Sequence, residues 1–209
     1  MVQVKICGIT NAADALAAVE AGANLLGFNF YEKSPRRISE AEAGKIQPQL
    51  PSKVKTVGIF VNSLPADVFA LRKSVKLDAA QLHGDESVET VEEIARVLPV
   101  IKAFRVEPEF PLATLDEFPG VFAFLFDAAQ TGQYGGSGRT TDWDVARRAA
   151  VERRIILAGG LKVENVAAAI RIVRPYGIDV ATGVESKPGK KDHGRLREFI
   201  QEVRRAERK

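Results

Sequence analysis

Short runs of apolar residues alternate along the chain with segments in which apolar residues recur every three or four positions. The short runs have the length and residue types of β-strands, whereas the three- and four-residue spacing is that of one face of an α-helix. NAADALAAVEAG after the first run and KVENVAAAIRIVRP after the seventh show the helical spacing. The predicted strands are VQVKIC (2–7), NLLGFNF (24–30), VKTVGIFV (54–61), DAAQLH (78–83), PVIKAF (99–104), VFAFLFD (121–127), RIILAG (154–159) and IDVATG (178–183).

Residues that begin and end helices stand at the borders of the helical segments. Short polar side chains accept hydrogen bonds from the first-turn N–H groups, and glycine or proline commonly follows the last turn. The segment LATLDEF is the weakest predicted helix, because prolines surround it. The predicted N-caps are Asn11, Ser39, Ser87 and Asp142, and Gly22 and Pro175 close the first and seventh helices.

Eight strands that alternate with eight helices predict a parallel sheet, because each crossover helix returns the chain to the same edge. A closed barrel and an open, doubly wound sheet both fit that order. The even spacing of the units and the lack of a dinucleotide-binding fingerprint favour the barrel. We therefore expect one α/β domain over residues 1–209, a (β/α)8 TIM barrel with its active site at the C-terminal ends of the strands.

Composition narrows the location and the chemistry. No apolar run approaches the ~20 residues that span a bilayer, and MVQVKICGIT leads directly into a predicted strand rather than a signal peptide. We therefore expect a cytoplasmic protein without a membrane partner. The single cysteine excludes an intrachain disulfide, and one cysteine with two histidines argues against a Cys/His zinc site. We expect neither a metal ion nor an organic cofactor.

Positive charge is concentrated at the end of the chain. The net charge is +3, and residues 190–209 hold eight Lys or Arg and four Asp or Glu. A basic helix can bind nucleic acid, but cations also favour the C-terminal end and the solvated face of any helix. We favour the second interpretation and expect no nucleic-acid partner.

Alternation within strands predicts which side chains face the barrel lumen. In VFAFLFD the phenylalanines share one face, which suits packing beneath the helices, so Ala123, Leu125 and Asp127 face inward. The same parity places Lys5 and Cys7 inward on the first strand. On the fourth strand it pairs Gln81 with His83. Cys7, His83 and Asp127 therefore fall at C-terminal strand ends, where active sites of such barrels lie.

Glycine-containing turns after the last two predicted strands indicate a phosphate site. AGG (158–160) follows the seventh strand and TGVE (182–185) the eighth, and loops at these two places often bind phosphate through backbone N–H groups. Glycine lets the backbone approach the anion. We therefore expect a phosphosugar substrate, with a loop over 128–143 as a lid. The predicted phosphate ligands are Gly159, Gly160, Thr182, Gly183 and Val184.

Several segments together resemble the phosphoribosylanthranilate isomerase family. They are KICGIT (5–10), GFNFYEKSPRRIS (27–39), QLHGDE (81–86), FDAAQTGQYGGSGRTTDW (126–143), AGGL (158–161), VENV (163–166) and DVATGVESKPGKKD (179–192). The resemblance covers nearly the whole chain in order. It departs from the family over 105–120, at Gly136–Ser137, where Gly-Thr is expected, and at Thr141, where Phe is expected.

The resemblance implies an Amadori rearrangement in tryptophan biosynthesis. N-(5′-phosphoribosyl)anthranilate would become 1-(2-carboxyphenylamino)-1-deoxyribulose 5-phosphate, with Cys7 as general base and Asp127 as general acid. Arg36 would bind the anthranilate carboxylate, for which its guanidinium fork is suited, although the neighbouring Arg37 is an alternative. His83 is expected either to contact the substrate or to orient loops, and Gln81 is a similar candidate.

These roles need shifted pKa values. An ordinary thiol, with a pKa of about 8.5, is mostly protonated at neutral pH, so we expect Lys5 to lower the pKa of Cys7. An ordinary aspartate is ionised there, so we expect burial to raise the pKa of Asp127. Asp179 either binds a sugar hydroxyl or pairs with Lys5.

Two other functions fit the pattern. The related histidine-pathway aminoaldose–ketose isomerase would carry a carboxylate where Cys7 stands, although a dual-specificity barrel stays open. A phosphosugar-binding barrel without catalysis would not need an acid and a base together. The sequence leaves monomer and homodimer open.

Overall fold

Eight parallel strands close into a barrel in chain order, as the sequence predicts. The structure is a computed structural model that describes residues 1–128 and 141–208. The first strand pairs with the second and the eighth, so the two ends of the sheet meet. The strands are β1 (Gln3–Cys7), β2 (Leu25–Asn29), β3 (Lys55–Phe60), β4 (Ala79–Leu82), β5 (Val100–Val106), β6 (Ala123–Ala128), β7 (Ile155–Leu157) and β8 (Gly177–Val180).

An α-helix follows seven of the eight strands in the described ranges. The fifth unit differs from the prediction of eight helices, because Leu112–Glu117 forms a 3-10 helix. Pro119 disfavours the α-helical conformation at Phe118, so the segment that begins after Pro111 ends after six residues. The α-helices are α1 (Ala12–Ala21), α2 (Glu40–Ile46), α3 (Pro65–Val75), α4 (Val88–Ala95), α5 (Trp143–Ala149), α6 (Val163–Val173) and α7 (His193–Ala206).

The predicted helix caps are confirmed. Each of the four predicted N-cap side chains accepts a hydrogen bond from a first-turn backbone N–H group. Gly22 ends α1 with a φ of 105°, in the left-handed region that glycine enters without strain. Pro175 follows Arg174, the C-cap of α6. None of the described helices is long and apolar enough to cross a bilayer.

Two apolar layers confirm the predicted facing of the strand residues. Ala123 and Leu125 belong to a small cluster in the lumen, with side chains from β3, β4, β5 and β7. Phe124 and Phe126 belong to the larger cluster between the strands and the helices. Asp127 thus continues the inward face of β6, at the open end of the barrel.

The chain beyond β8 departs from the predicted strand over 178–183. The strand ends at Val180, and Thr182–Val184 forms a short 3-10 helix. A two-stranded hairpin follows, with strands β9 (Glu185–Lys187) and β10 (Lys190–Lys191). This hairpin brings two charged side chains of the GVESKPGKKD segment back to the barrel mouth.

Candidate active site

A cavity of about 760 Å³ opens at the C-terminal ends of the strands. It lies where parity predicted the site, because strand ends and the loops that follow them form its wall. Residues 129–140 of the predicted lid lie outside the described residues. The predicted site residues that line the cavity are Cys7, Arg36, Gln81, His83, Asp127, Gly159, Gly160, Asp179, Thr182 and Gly183.

Cys7 ends β1 beside a buried ion pair. The Nζ atom of Lys5 lies 3.0 Å from Oδ1 of Asp179, and both side chains are buried, at 1% and 8% exposed. The register of the barrel produces this pair, because Lys5 and Asp179 are partners on β1 and β8. Of the two roles open for Asp179 in the sequence, pairing with Lys5 is the one found.

The pKa of Cys7 corrects a prediction. Burial raises the pKa of the thiol above its ordinary value, and the positive charges of Lys5 and Lys191 offset only part of this effect. Asp179 raises the pKa further. The predicted lowering by Lys5 is therefore wrong in its net direction, because desolvation of the thiol and the charge of Asp179 outweigh the charge of the paired Lys5.

Asp127 lies one residue before the end of β6, next to a pair of polar residues from β4 and its following turn. One carboxylate oxygen, Oδ1, accepts a hydrogen bond of 2.8 Å from the backbone N–H of Ala128. The other, Oδ2, lies 3.5 Å from Nε2 of His83. On the opposite side of the imidazole, Nδ1 lies 2.7 Å from the Gln81 amide nitrogen. Gln81 therefore orients the ring toward Asp127.

Two polar atoms of this group have no hydrogen-bond partner among the described residues. They are Oε1 of Gln81 and Nε2 of His83, and both are buried. Buried polar atoms are almost always hydrogen-bonded, so unpaired ones beside a cavity are typical of atoms that meet a ligand.

Arg36 and Arg37 have different surroundings. Arg36 lines the cavity and forms a fork with Glu185, in which Nε is 2.9 Å from Oε1 and Nη2 is 2.8 Å from Oε2. The side chain of Arg37 is 53% exposed and contacts the exposed Glu32 at 3.7 Å. Of the two candidates, Arg36 is the one at the cavity.

At the two glycine turns, backbone atoms without side chains form part of the cavity wall. Gly159 and Gly160 have φ values of 79° and 62°, which favour glycine. A Cβ atom on Gly183 would lie 2.0 Å from the carbonyl oxygen of Leu161, so the two turns pack directly against each other. Val184, also a predicted ligand, is not among the residues that line the cavity, because its side chain is buried in the apolar layer beneath the helices.

Comparison with known proteins identifies the family. Residues 4–202 match the family model for N-(5′-phosphoribosyl)anthranilate isomerase. The enzyme of that name from Pelobacter propionicus is 50% identical over 200 residues, which cover 96% of this chain and 94% of that protein. This chain belongs to the phosphoribosylanthranilate isomerase family. It is therefore an isomerase of the aldose–ketose type in tryptophan biosynthesis.

Solved structures of the phosphoribosylanthranilate isomerase family share the fold. The Thermotoga maritima enzyme has a TM-score of 0.91 at 42% identity, over 98% of this chain and 99% of that one. A complex of such an enzyme with reduced 1-(o-carboxyphenylamino)-1-deoxyribulose 5-phosphate has a TM-score of 0.88 at 41% identity, over 98% and 99% of the two chains. Another Thermotoga maritima structure is of monomers generated from a dimeric enzyme.

Sequence reasoning missed two buried charged residues in the group that holds the cavity residue Arg36. Glu185 binds Arg36, and Lys191 binds Glu185 through an Nζ–Oε1 contact of 3.0 Å. Both residues belong to the GVESKPGKKD segment that carries the family resemblance, and this was the available signal for them. The segment has no alternation of apolar and polar residues from which the direction of a side chain could be predicted. Across the described residues, no three His, Cys, Asp or Glu side chains form a group that could hold a metal ion.

Thr141, where this chain departs from the phosphoribosylanthranilate isomerase pattern, is buried beside the site. Its hydroxyl donates a hydrogen bond of 2.8 Å to the carbonyl oxygen of Ala158, at the end of β7. A Cβ atom on Gly159 would lie 2.5 Å from that hydroxyl oxygen. Thr141 therefore attaches the segment before α5 to one of the two glycine turns.

Proposed function

We propose that this chain converts N-(5′-phosphoribosyl)anthranilate into 1-(2-carboxyphenylamino)-1-deoxyribulose 5-phosphate, as one catalytic domain in the cytoplasm. The observation that carries the proposal is that Cys7 and Asp127 line the same cavity from different strands. A proton donor and a proton acceptor on separate sides of a substrate suit an isomerisation that needs both.

The proposed reaction moves protons without a net change in oxidation state. Asp127 donates a proton to the furanose ring oxygen, the bond from C1 to that oxygen breaks, and the nitrogen lone pair forms the Schiff base. Cys7 then removes the proton from C2, and the electron pair of that C–H bond forms the C1–C2 double bond of an enolamine while the second electron pair of the C1–N double bond returns to nitrogen. Protonation at C1 and loss of the C2 hydroxyl proton give the ketone.

The two charged groups of the substrate have candidate ligands in neighbouring parts of the cavity wall, since Nη2 of Arg36 lies 3.2 Å from the hydroxyl oxygen of Thr182. We place the carboxylate at Arg36 and the phosphate at the backbone of Gly160 and Gly183, next to Thr182. The partnerless buried atoms of Gln81 and His83 suit the sugar hydroxyls between them. Nε2 of His83 also lies 3.5 Å from the Asp127 carboxylate, so a hydroxyl bound there would stand beside the proposed acid.

The raised pKa of Cys7 gives the proposed base a distinctive pH dependence. Because the thiolate is a minor species at neutral pH, we expect kcat/KM to rise with pH beyond the ordinary thiol range. Positive charge that develops on the Schiff base nitrogen would stabilise the thiolate during the reaction.

A fluorescence assay of phosphoribosylanthranilate consumption tests the proposal. We expect Cys7→Ser and Asp127→Asn to lower kcat by about a hundredfold or more, which is the usual contribution of general acid–base catalysis. Asp144→Asn is the matched control, because its carboxylate is 84% exposed on α5. Full activity of both site variants would refute the assigned roles, and turnover of the histidine-pathway substrate alone would refute the assigned substrate.

A further inference from the structure

Arg36, Glu185 and Lys191 form a chain of alternating charges, of which Arg36 lines the cavity. Its central member is Glu185, whose carboxylate accepts hydrogen bonds from Arg36, from Lys191 and, at 3.2 Å, from the backbone N–H of Gly189. The side chains of Glu185 and Lys191 are 3% and 0% exposed. Burial of an ion pair is costly unless each member is fully hydrogen-bonded, and here each is.

The pairing leaves one edge of the Arg36 guanidinium free for a ligand. Its side chain makes hydrogen bonds to Glu185 and Thr182 through Nε and Nη2, and within the described ranges none of these bonds uses Nη1. The aliphatic stem is also fixed, because a Cβ atom on Gly8 would lie 2.6 Å from Cδ of Arg36. The orientation of the guanidinium is thus set from both sides.

Lys191 changes the charge that a ligand meets at Arg36. Arg36 and Glu185 alone would be neutral as a pair, whereas the group of two cations and one anion has a net charge of +1. The Nζ atom of Lys191 also donates a hydrogen bond of 2.6 Å to the carbonyl oxygen of Cys7. One buried cation therefore contacts both the backbone of Cys7 and the carboxylate that holds Arg36.

We propose that Glu185 and Lys191 are positioning residues that set the preference for a ligand with an aromatic carboxylate. Glu185 fixes the direction of the Arg36 guanidinium, and Lys191 offsets the charge of Glu185 so that Arg36 still attracts an anion. The inference rests on the proposed function, which assigns the carboxylate to Arg36.

Two stable ligands that differ only in the carboxylate test the inference. They are the reduced product, 1-(2-carboxyphenylamino)-1-deoxyribitol 5-phosphate, and its phenylamino analogue, each titrated by calorimetry. We expect Lys191→Met to lower the affinity for the carboxylated ligand roughly tenfold, because one unit of positive charge is removed close to the carboxylate. The affinity for the phenylamino analogue should not change. Lys190→Met is the matched control, since Lys190 is the exposed neighbour of Lys191 on the same strand.

Glu185→Asp separates position from charge. It keeps the anion but shortens the arm that holds Arg36, so we expect the preference for the carboxylated ligand to fall severalfold. This variant also carries the test if Lys191→Met does not fold. If the variants bound both ligands more weakly by the same factor, or bound both as well as the wild type does, the inference would be overturned and the proposed function would be unaffected. Failure of the wild type to turn over phosphoribosylanthranilate would instead refute the proposed function.

Discussion

Cys7 lies between a cation and an anion whose effects on its thiol are opposite. Lys5 favours the thiolate, and Asp179 disfavours it both through its own charge and by pairing with Lys5. Burial alone would lower the pKa of Lys5. The negative charges of Asp179 and of the Cys7 thiolate outweigh burial, so the pKa of Lys5 lies above its ordinary value. Lys5 therefore stays charged at neutral pH, and its contact with Asp179 limits how much it activates the thiol.

Asp179→Asn should make Cys7 more reactive. Removal of the anion leaves Lys5 with the thiol as its nearest acidic group, so the pKa of Cys7 should fall and thiolate should form at lower pH. Lys5→Met should act in the opposite direction. The rate of alkylation by iodoacetamide as a function of pH measures the effect directly, because Cys7 is the only cysteine.

Asp78→Asn is the control for this comparison. Asp78 also contacts a lysine, with Lys55 Nζ at 3.0 Å from Oδ1, but it does not line the cavity. Its loss should leave the alkylation profile of Cys7 unchanged. If Asp179→Asn and Lys5→Met shifted the profile in the same direction, the opposing roles assigned to these two charges would be wrong.

Strand parity predicted the direction of side chains but not their electrostatic surroundings. It correctly placed Lys5, Cys7 and Asp127 in the lumen, because a period of two follows from backbone geometry. The pairing of Lys5 with Asp179 depends on barrel closure, since β1 and β8 are far apart in the sequence. The net pKa of Cys7 could not be predicted without that contact and the depth of burial.

Between the elements, a third buried ion pair, Lys102–Glu86, fixes the turn that presents His83. Lys102 on β5 donates hydrogen bonds to Glu86, at 2.7 Å, and to the carbonyl oxygen of Gly84, at 2.8 Å. Glu86 also accepts hydrogen bonds from the backbone N–H groups of Asn62 and Gly84. One ion pair thus connects β5 with the turns after β3 and β4.

Lys102→Met should destabilise the fold strongly. It leaves the carboxylate of Glu86, 1% exposed, without its cation, and breaking a buried pair in this way costs about 3–5 kcal/mol. Lys55→Met, which breaks a pair with an exposed lysine, should cost about 1 kcal/mol or less. Urea unfolding of both variants measures the difference, and similar free energies of unfolding for the two would contradict the role of the buried pair.

Element prediction succeeded where the local signal was strong. The four N-caps and Gly22 follow from local hydrogen bonding and backbone conformation, so sequence alone located them. The 3-10 helix Leu112–Glu117 and the hairpin after Val184 were missed. Both are short segments shaped by proline positions and by contacts with distant residues, and neither shows a regular hydrophobic period.

At the scale of the molecule, the barrel closes where the two ends of the chain meet, and Asp14 connects them. Its carboxylate, in the first turn of α1, accepts hydrogen bonds of 2.8 Å from the backbone N–H of Lys191 and of 2.9 Å from Asn11. Nε2 of His193, at the start of α7, lies 2.8 Å from the other oxygen. The segment that holds Lys191 at the cavity is thereby attached to the first βα unit.

Asp14→Asn should remove a pH-dependent part of the stability. Burial alone would raise the pKa of Asp14, but the hydrogen bonds from Lys191, His193 and Asn11 outweigh it and hold the pKa below its ordinary value. The stabilisation is therefore fully present above the unfolded-state pKa of about 3.9 and is lost as pH falls through the folded-state value. We expect a deficit of roughly 1.5–3 kcal/mol in the free energy of unfolding at pH 7, since hydrogen bonds to a charged group are lost.

Urea unfolding at pH 7 and at several values below 4 distinguishes this effect from a general loss of packing. The gap between wild type and Asp14→Asn should narrow as the pH falls, because protonation removes the same charge from the wild type. Asp67→Asn is the matched control: Asp67 also lies in the first turn of a helix, α3, but is exposed. A gap that stays constant down to low pH would mean that Asp14 holds the chain ends together by shape rather than by charge.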